Sequence, residues 1–306
     1  MKSGVTSVFP FFFSSFEIGI DGAIFLASPR VSRTKFTSSA TSFAGSVDMA
    51  FSIGGDGTLL GVCRRYAGKN VPVCGINIGT LGFLADIEVD ELEKKLAKAL
   101  VGDYLLEERL LIAGYISRNG REPFFAGTAI NDAVVCKGSV LRMLSLGLSI
   151  NKTHIMDFKA DGIIVSSPTG STAYSLSAGG PILNPNIKAL LLTPICAQTF
   201  NLLGPLVVNE QDEIHIQIVN GPRDTLMTFD GQESVQLFAG DEVIVRKSPI
   251  PAKIVIQQKD VRYVLILLGV LQVIQKADRI IKLFYYVKRK RTERPPDRPC
   301  VCRRHR

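Results

Sequence analysis

The sequence predicts an α/β layer followed by an all-β domain, and three observations carry that prediction. An alternating apolar run (Val47, Met49, Phe51, Ile53) enters the glycine turn Gly54-Gly55-Asp56-Gly57-Thr58, and an apolar helical pattern starts straight after it. A second buried strand, Val71 to Asn77, follows that helix, so strand and helix alternate as in a parallel sheet. After Gly102 the pattern switches to short period-2 runs parted by turns such as Asn220-Gly221-Pro222, Asp230-Gly231 and Gly240-Asp241, which reads as a sandwich of antiparallel sheets.

Taken in order, residues 1–46 open with an aromatic run (Phe9 to Phe13) and turn Ser/Thr-rich and acid-poor; Ile18-Gly19-Ile20 reads as a first strand. The single Lys2 and the proline-broken apolar run make a poor signal peptide. Residues 47–102 form the α/β domain. Thr58 is placed to cap its first helix, and Gly79, Gly82 and Phe83 follow the second strand, where parallel sheets present ligands. Asp90 to Val101 makes a helix with Leu92, Leu96, Ala97 and Leu100 on one face. Residues 103–262 form the β-rich domain, with runs at Leu110–Ser117, Phe124–Cys136, Leu144–Ile150, Gly162–Ser166, Glu213–Val219, Thr225–Phe229, Val235–Phe238, Glu242–Arg246 and Lys253–Gln257.

Residues 263–306 differ in character. Tyr263–Leu271 is apolar, but charge returns at Lys276, Asp278 and Arg279, short of the ~18–20 residues a spanning helix needs. Ile280–Val287 and the basic run Lys288–Arg291 read as a helix against the body and a solvated tail, in preference to contact with an anionic membrane. The net charge of +8 is concentrated here: residues 288–306 carry nine Lys/Arg against Glu293 and Asp297, leaving +1 for the other 287 residues. A nearly neutral body argues against a nucleic-acid partner. The six cysteines, at 63, 74, 136, 196, 300 and 302, form no paired framework, which places reduced thiols in a cytoplasmic setting.

The glycine turn is where chemistry first shows. Glycines let backbone N–H groups approach a ligand closely, and a helix N-terminus behind such a turn suits phosphate. Asp56 puts an acid where an anion should bind, which calls for a metal ion between the charges or for a role in the reaction. A plain strand-to-helix turn, with Asp56 as a second cap, is the bland alternative. A second constellation runs from Ala160-Asp161 through Ser166-Ser167-Pro168-Thr169-Gly170-Ser171-Thr172-Ala173-Tyr174-Ser175-Leu176-Ser177 to Gly180-Pro181. Pro168 and Gly170 fix a turn there, and Thr172 or Ser171 can cap a short helix carrying Tyr174. A carboxylate, many hydroxyls and one aromatic ring from a single turn suit a sugar, an amide and an aromatic base.

Together with Ala129-Ile130-Asn131-Asp132-Ala133, Asn77-Ile78-Gly79-Thr80-Leu81-Gly82-Phe83-Leu84 and Phe229-Asp230-Gly231-Gln232, these motifs resemble the NAD kinase family, bacterial type, over roughly residues 47–262. Lipid kinases share the first glycine motif but lack the serine-threonine segment. The resemblance implies a Rossmann-like α/β domain, a β-sandwich-type domain and NAD bound between them. It implies transfer of the γ-phosphoryl of ATP, or of polyphosphate, to the 2′-hydroxyl of the adenosine ribose, with Mg²⁺ as the divalent metal, giving NADP. A catalytically weakened dinucleotide-binding relative and a lipid-kinase-like enzyme are the competing readings.

By the same resemblance Asp56 is the catalytic acid, and Gly54, Gly55, Gly57 and Thr58 form the phosphate loop. Phe83 packs near the adenine, Asn131 and Asp132 hydrogen-bond the adenosine and ribose, and Asp161 is a dinucleotide-binding carboxylate. Thr169, Thr172, Ala173, Tyr174 and Ser177 line the NAD pocket. Asp132 stands where glutamate is more usual, one methylene shorter in reach. No protein metal ligand is assigned, and a homo-oligomer, dimer or tetramer, is expected.

Overall fold

The computed structural model describes residues 16–18, 23–27, 47–78, 84–138, 142–198 and 204–257. Phe83, Gly79 and Gly82, the aromatic run near the N-terminus and the basic tail lie outside the described residues.

The chain starts with β1 (Phe16–Ile18), β2 (Ala23–Ala27) and β3 (Val47–Gly54), then α1 (Asp56–Ala67), β4 (Val73–Asn77), β5 (Ile87–Glu88), α2 (Leu92–Leu100) and β6 (Leu105–Arg109). The β-rich part continues with β7 (Ile112–Ser117), β8 (Phe124–Ala129), β9 (Asp132–Cys136), β10 (Leu144–Ile150), β11 (Thr153–Ala160), β12 (Gly162–Ser166) and α3 (Tyr174–Ser177). It ends with β13 (Ala189–Ile195), β14 (Leu206–Asn209), β15 (Ile214–Asn220), β16 (Leu226–Phe229), β17 (Glu233–Gln236), β18 (Glu242–Lys247) and β19 (Ala252–Ile256).

The first sheet has seven strands in the order β1-β2-β3-β4-β19-β6, with β5 added against β4. Its centre is parallel (β3 with β4, β4 with β19), and β2 and β6 flank it antiparallel. Side-chain alternation covers both faces of that centre. Ala50, Val73 and Ile254 pack with Leu59, Leu60, Val62, Cys63 and Tyr66, mostly from α1. Met49, Phe51, Cys74 and Val255 pack on the other side with Leu92, Leu96 and Leu100 of α2. Burial on both faces is what a parallel layer requires.

Two six-stranded antiparallel sheets make the β part, in the orders β11-β10-β15-β18-β7-β8 and β14-β13-β12-β9-β16-β17. Their inner faces share one core that includes Ile116, Leu146, Leu148, Phe158, Ile163, Val165, Leu192, Ile216 and Phe229. Each such fully buried side chain contributes about 1.5–3 kcal/mol.

Four expectations change. Lys253–Gln257 reads as part of the β domain, but β19 inserts beside β4 in the first sheet, paired on its other side with β6. Its apolar residues Ile254 and Val255 alternate between the two cores, a pattern that period alone cannot assign to one sheet. Thr58 does not cap α1: the carbonyl of Gly55 already accepts the N–H groups of Thr58 (3.1 Å) and Leu59 (3.2 Å), so the helix begins at Asp56 with Gly55 as N-cap. Neither Ser171 nor Thr172 caps α3, whose N-cap is Ala173 without a side-chain bond. The run Phe124–Cys136 is interrupted at Ile130-Asn131, for the reason given below. Among the described residues no helix is long and apolar enough to cross a membrane, and Cys63, Cys74, Cys136 and Cys196 are free thiols.

Candidate active site

The glycine turn leaves the C-terminal end of β3 and opens directly into α1. A Cβ on Gly54 would fall 2.5 Å from the Thr58 hydroxyl oxygen, so the tight return of Thr58 over the turn depends on glycine there. No side chain caps the first turn of α1, so the positive end of its dipole is directed at the glycine turn. Asp56 is half-buried, and its Oδ1 accepts the N–H groups of Leu84 (3.1 Å) and Ala85 (3.4 Å). Those two donors lie just ahead of β5, so the carboxylate pins the chain entering β5 against the glycine turn. Nearby Gly75 is equally constrained: a Cβ there would meet Ala85 Cα at 2.9 Å.

The Asn131-Asp132 turn is built by a distant residue. Asp230 Oδ1 accepts the N–H groups of Asn131 (2.8 Å) and Asp132 (3.2 Å), and Oδ2 accepts that of Ile130 (3.1 Å). Three successive donors point at one carboxylate instead of a neighbouring strand, which ends β8 and separates it from β9. Asp230 and Gly231 both have positive φ (50° and 64°) and Gln232 N–H bonds the Phe229 carbonyl, the pattern of a type I′ hairpin turn. Phe229 fixes that turn from beneath. Its ring is fully buried against Gly114 of β7 and Gly127 of β8, which face each other across those strands; a Cβ on either would lie 2.7 Å from the ring.

From the other side the turn is held by the serine-threonine segment. The Ser167 hydroxyl donates to the Ile130 carbonyl at 2.5 Å, Ser167 N–H donates to the Asn131 carbonyl at 2.9 Å, and a Cβ on Gly170 would collide with the Asn131 backbone. Here the hydroxyls divide into two groups. Ser167, Ser171 and Ser175 are buried and spend themselves internally: Ser171 bonds Pro168 and Leu183, and Ser175 bonds the Thr193 hydroxyl at 2.8 Å. Thr169 is also buried, and its hydroxyl accepts Arg109 Nη1 at 3.3 Å. Thr172, Ala173, Tyr174 and Ser177 stay partly or largely exposed beside them, Tyr174 by 46%, although the Thr172 hydroxyl also donates to the Thr169 carbonyl at 3.2 Å.

Asp132 sits at one end of this surface, where β9 pairs with Ser166 of β12, and is 4% exposed. Burial, reinforced by the charge of Asp230, pushes its carboxyl up to about 7. Asp230 is raised by burial too, against the opposing pull of its backbone N–H partners and Arg64. Burial likewise raises the Tyr174 phenol, which also feels Cys136, Cys196, Asp132 and Asp161. Asp161 precedes β12 at the opposite end, roughly 16 Å along the strand at ~3.3 Å per residue, and is paired with Lys137 at 2.6 Å. Tyr174 thus lies within electrostatic reach of both Asp132 and Asp161, which sit at opposite ends of β12.

Sequence reasoning gave no site role to Arg64, Asp230 or Gln232. Arg64 of α1 reaches Asp230 (Nε to Oδ2, 3.6 Å), the Phe229 carbonyl (3.1 Å) and Gln232 Oε1 (2.9 Å). Gln232 Nε2 in turn donates to the Gly57 carbonyl at 2.7 Å. The only available signal was the motif Phe229-Asp230-Gly231-Gln232 itself; its partners lie 98–175 positions away.

A parallel α/β sheet, a glycine turn feeding an open helix N-terminus, and a polar turn from a β sandwich beside it define a nucleotide-dependent phosphotransferase architecture. Comparison with known proteins makes this specific. The ATP-NAD kinase N-terminal domain matches residues 27–104 and the ATP-NAD kinase C-terminal domain matches residues 130–256. The NAD kinase of Carboxydothermus hydrogenoformans is 40% identical over 210 residues, covering 68% of this chain and 74% of that protein. That of Moorella thermoacetica is 44% identical over 214 residues, covering 70% and 68%. The crystal structure of yeast NADH kinase complexed with NADH superposes with a TM-score of 0.70 at 26% identity, covering 78% of this chain and 69% of that one. An NAD kinase from Archaeoglobus fulgidus in complex with ATP gives 0.57 at 29% identity, covering 71% and 80%. The chain belongs to the NAD kinase family.

Proposed function

We propose that this protein transfers the γ-phosphoryl of ATP to the 2′-hydroxyl of the adenosine ribose of NAD, giving NADP and ADP. The observation that carries the reading is the placement of the Asp56 glycine turn beside the Asn131-Asp132 turn, linked through Arg64, Asp230 and Gln232. The bound NADH of the yeast neighbour and the bound ATP of the archaeal one agree with those two substrates.

In this reading Gly54, Gly55, Gly57 and Thr58 form the loop that the phosphates lie against, and the dipole of α1 favours their charge. The side chains of Asn131 and Asp132 bond the adenosine and ribose, and Thr172, Ala173, Tyr174 and Ser177 line the pocket with Thr169 behind them. Asp161 and Phe83 complete the dinucleotide contacts. The 2′-oxygen attacks the γ-phosphorus, the bond to the bridging oxygen breaks, and ADP leaves with that electron pair. Asp56 aligns the hydroxyl and takes its proton late, because phosphoryl transfer asks mainly for alignment and charge neutralisation.

Mg²⁺ belongs to the same proposal. Among the described residues no cluster of three or more His, Cys, Asp or Glu side chains could cage a metal. An ion carried on the ATP phosphates would meet the Asp56 carboxylate at the first residue of α1, and Mg²⁺ usually binds through one or two carboxylates and substrate phosphates. Bound there, it would neutralise phosphate charge. A homo-oligomer, dimer or tetramer, is proposed as well and is measurable by light scattering. Incubation of the purified protein with NAD, ATP and Mg²⁺, with NADP read by an NADP-specific dehydrogenase, tests the function. NADP accumulation is expected; a folded protein that makes none would overturn the reading.

A further inference from the structure

We propose that Gln232, Arg64 and Asp230 act as positioning residues, a polar strut that sets the spacing between the phosphate loop and the NAD-binding turn. The inference rests on the NAD kinase reading and adds to it three residues that touch no reacting atom.

The strut is continuous. It starts at the carbonyl of Gly57, the residue after Asp56, which accepts Gln232 Nε2 at 2.7 Å. Gln232 Oε1 accepts Arg64 Nη2 at 2.9 Å, and Arg64 Nε lies 3.6 Å from Asp230 Oδ2. Asp230 Oδ1 then accepts the Asn131 N–H at 2.8 Å. One end is therefore the first turn of α1 and the other is the backbone that carries Asn131 and Asp132. The middle is dry: the Asp230 side chain is fully buried and that of Arg64 is 7% exposed. Its Arg64 member is braced by the Phe229 carbonyl at 3.1 Å, and the Phe229 ring is seated on two glycines.

Apolar contact between α1 and Leu111 and Ile130 holds the two parts together, but apolar contact is non-directional. Hydrogen bonds from Gln232 to Gly57 and from Arg64 to Gln232 and the Phe229 carbonyl, closed by the buried Arg64–Asp230 ion pair, set a distance and an angle as well. Arginine supplies a planar, multi-donor group that hydrogen-bonds Gln232 and a carbonyl while its charge pairs with Asp230; lysine cannot do all three. A misplacement of about 1 Å between reacting groups can cost on the order of 100-fold in rate, so a strut between donor loop and acceptor turn acts on kcat more than on affinity.

The test uses Gln232→Glu and Gln232→Leu in the full chain. Gln232 is solvent-exposed, so neither variant threatens the core. Glu keeps an acceptor for Arg64 but loses the donor to Gly57, and Leu loses both bonds without adding charge. Wild-type NADP formation in the same assay secures the underlying reading first. Both variants are then expected to lower kcat about 10–100-fold, with the KM for NAD and for ATP each within about threefold of wild type and the melting temperature unchanged. Combination of Gln232→Leu with Arg64→Lys should lower kcat no further than the worse single variant, because both break one strut. An unchanged kcat in the Gln232 variants, a rise confined to the KM for ATP, or multiplicative losses in the double variant would each overturn the proposal. If Arg64→Lys does not fold, the two Gln232 variants decide it alone.

Discussion

The Asp230 carboxylate accepts the backbone N–H of Asn131 at 2.8 Å across 99 residues of chain, so the backbone there is held without use of the Asn131 side chain. Backbone and side chain thus have separate duties at this position. Asp230, Ser167 and Gly170 hold the backbone whatever residue stands there.

It follows that Asn131→Ala should not move the turn and should report the carboxamide alone. Loss of a partner for a buried ligand group costs about 1–3 kcal/mol, or roughly one to two decades in kcat/KM. The KM for NAD is expected to rise far more than that for ATP in steady-state kinetics. Equal rises in both would remove Asn131 from the NAD site.

Asp132 gives a pH-dependent prediction. Its carboxyl is held near 7 in the folded chain, against ~3.9 when unfolded. The native state therefore binds this proton more tightly, so the contribution to stability is full below about pH 4 and is lost as pH rises through about 7. Asp132→Asn keeps a neutral group at every pH. Its urea midpoint should exceed that of wild type by a margin that widens from about pH 5 to about pH 7.5. A margin that is constant or narrows over that range would contradict the burial argument.

The Phe229 seat makes a packing prediction. A Cβ at Gly127 would lie 2.7 Å from Phe229 Cδ2 and Cε2, with the facing strand's Gly114 equally close to the ring. Gly127→Ala must push a fully buried ring off its seat and should cost about 1–3 kcal/mol of stability. Urea unfolding measures this directly, and a midpoint equal to wild type would show that the seat has slack.

Much of this was legible in the sequence where the signal is local. The alternation from Val47 into Gly54 fixes β3 and the start of α1, and Leu144–Ile150 and Gly162–Ser166 coincide with β10 and β12. Strands β6 and β11, with the polar sequences Leu-Leu-Glu-Glu-Arg and Thr-His-Ile-Met-Asp-Phe-Lys-Ala, lie at sheet edges and carry weak apolar periods. In the site, the hydroxyl-rich segment was visible as a cluster. Which of its hydroxyls are consumed by Pro168, Leu183, Thr193 and Arg109 depends on tertiary contacts that no spacing encodes. The break at Asn131 was hidden for the same reason, since it is caused by a carboxylate about a hundred residues downstream.

Asp56→Asn tests the central claim most directly. Asn keeps an oxygen that can accept the N–H groups of Leu84 and Ala85, so the glycine turn should stay in place while the charge and the proton acceptor are removed. As the first residue of α1 and not its cap, Asp56 contributes to the helix mainly through its charge, about 0.3–1 kcal/mol. With NAD, ATP and Mg²⁺ the folded variant is expected to lose about 10²–10⁴ in kcat, with little change in the KM for NAD. Wild-type turnover from a folded Asp56→Asn protein would contradict the catalytic assignment and leave the carboxylate only its structural bonds to Leu84 and Ala85.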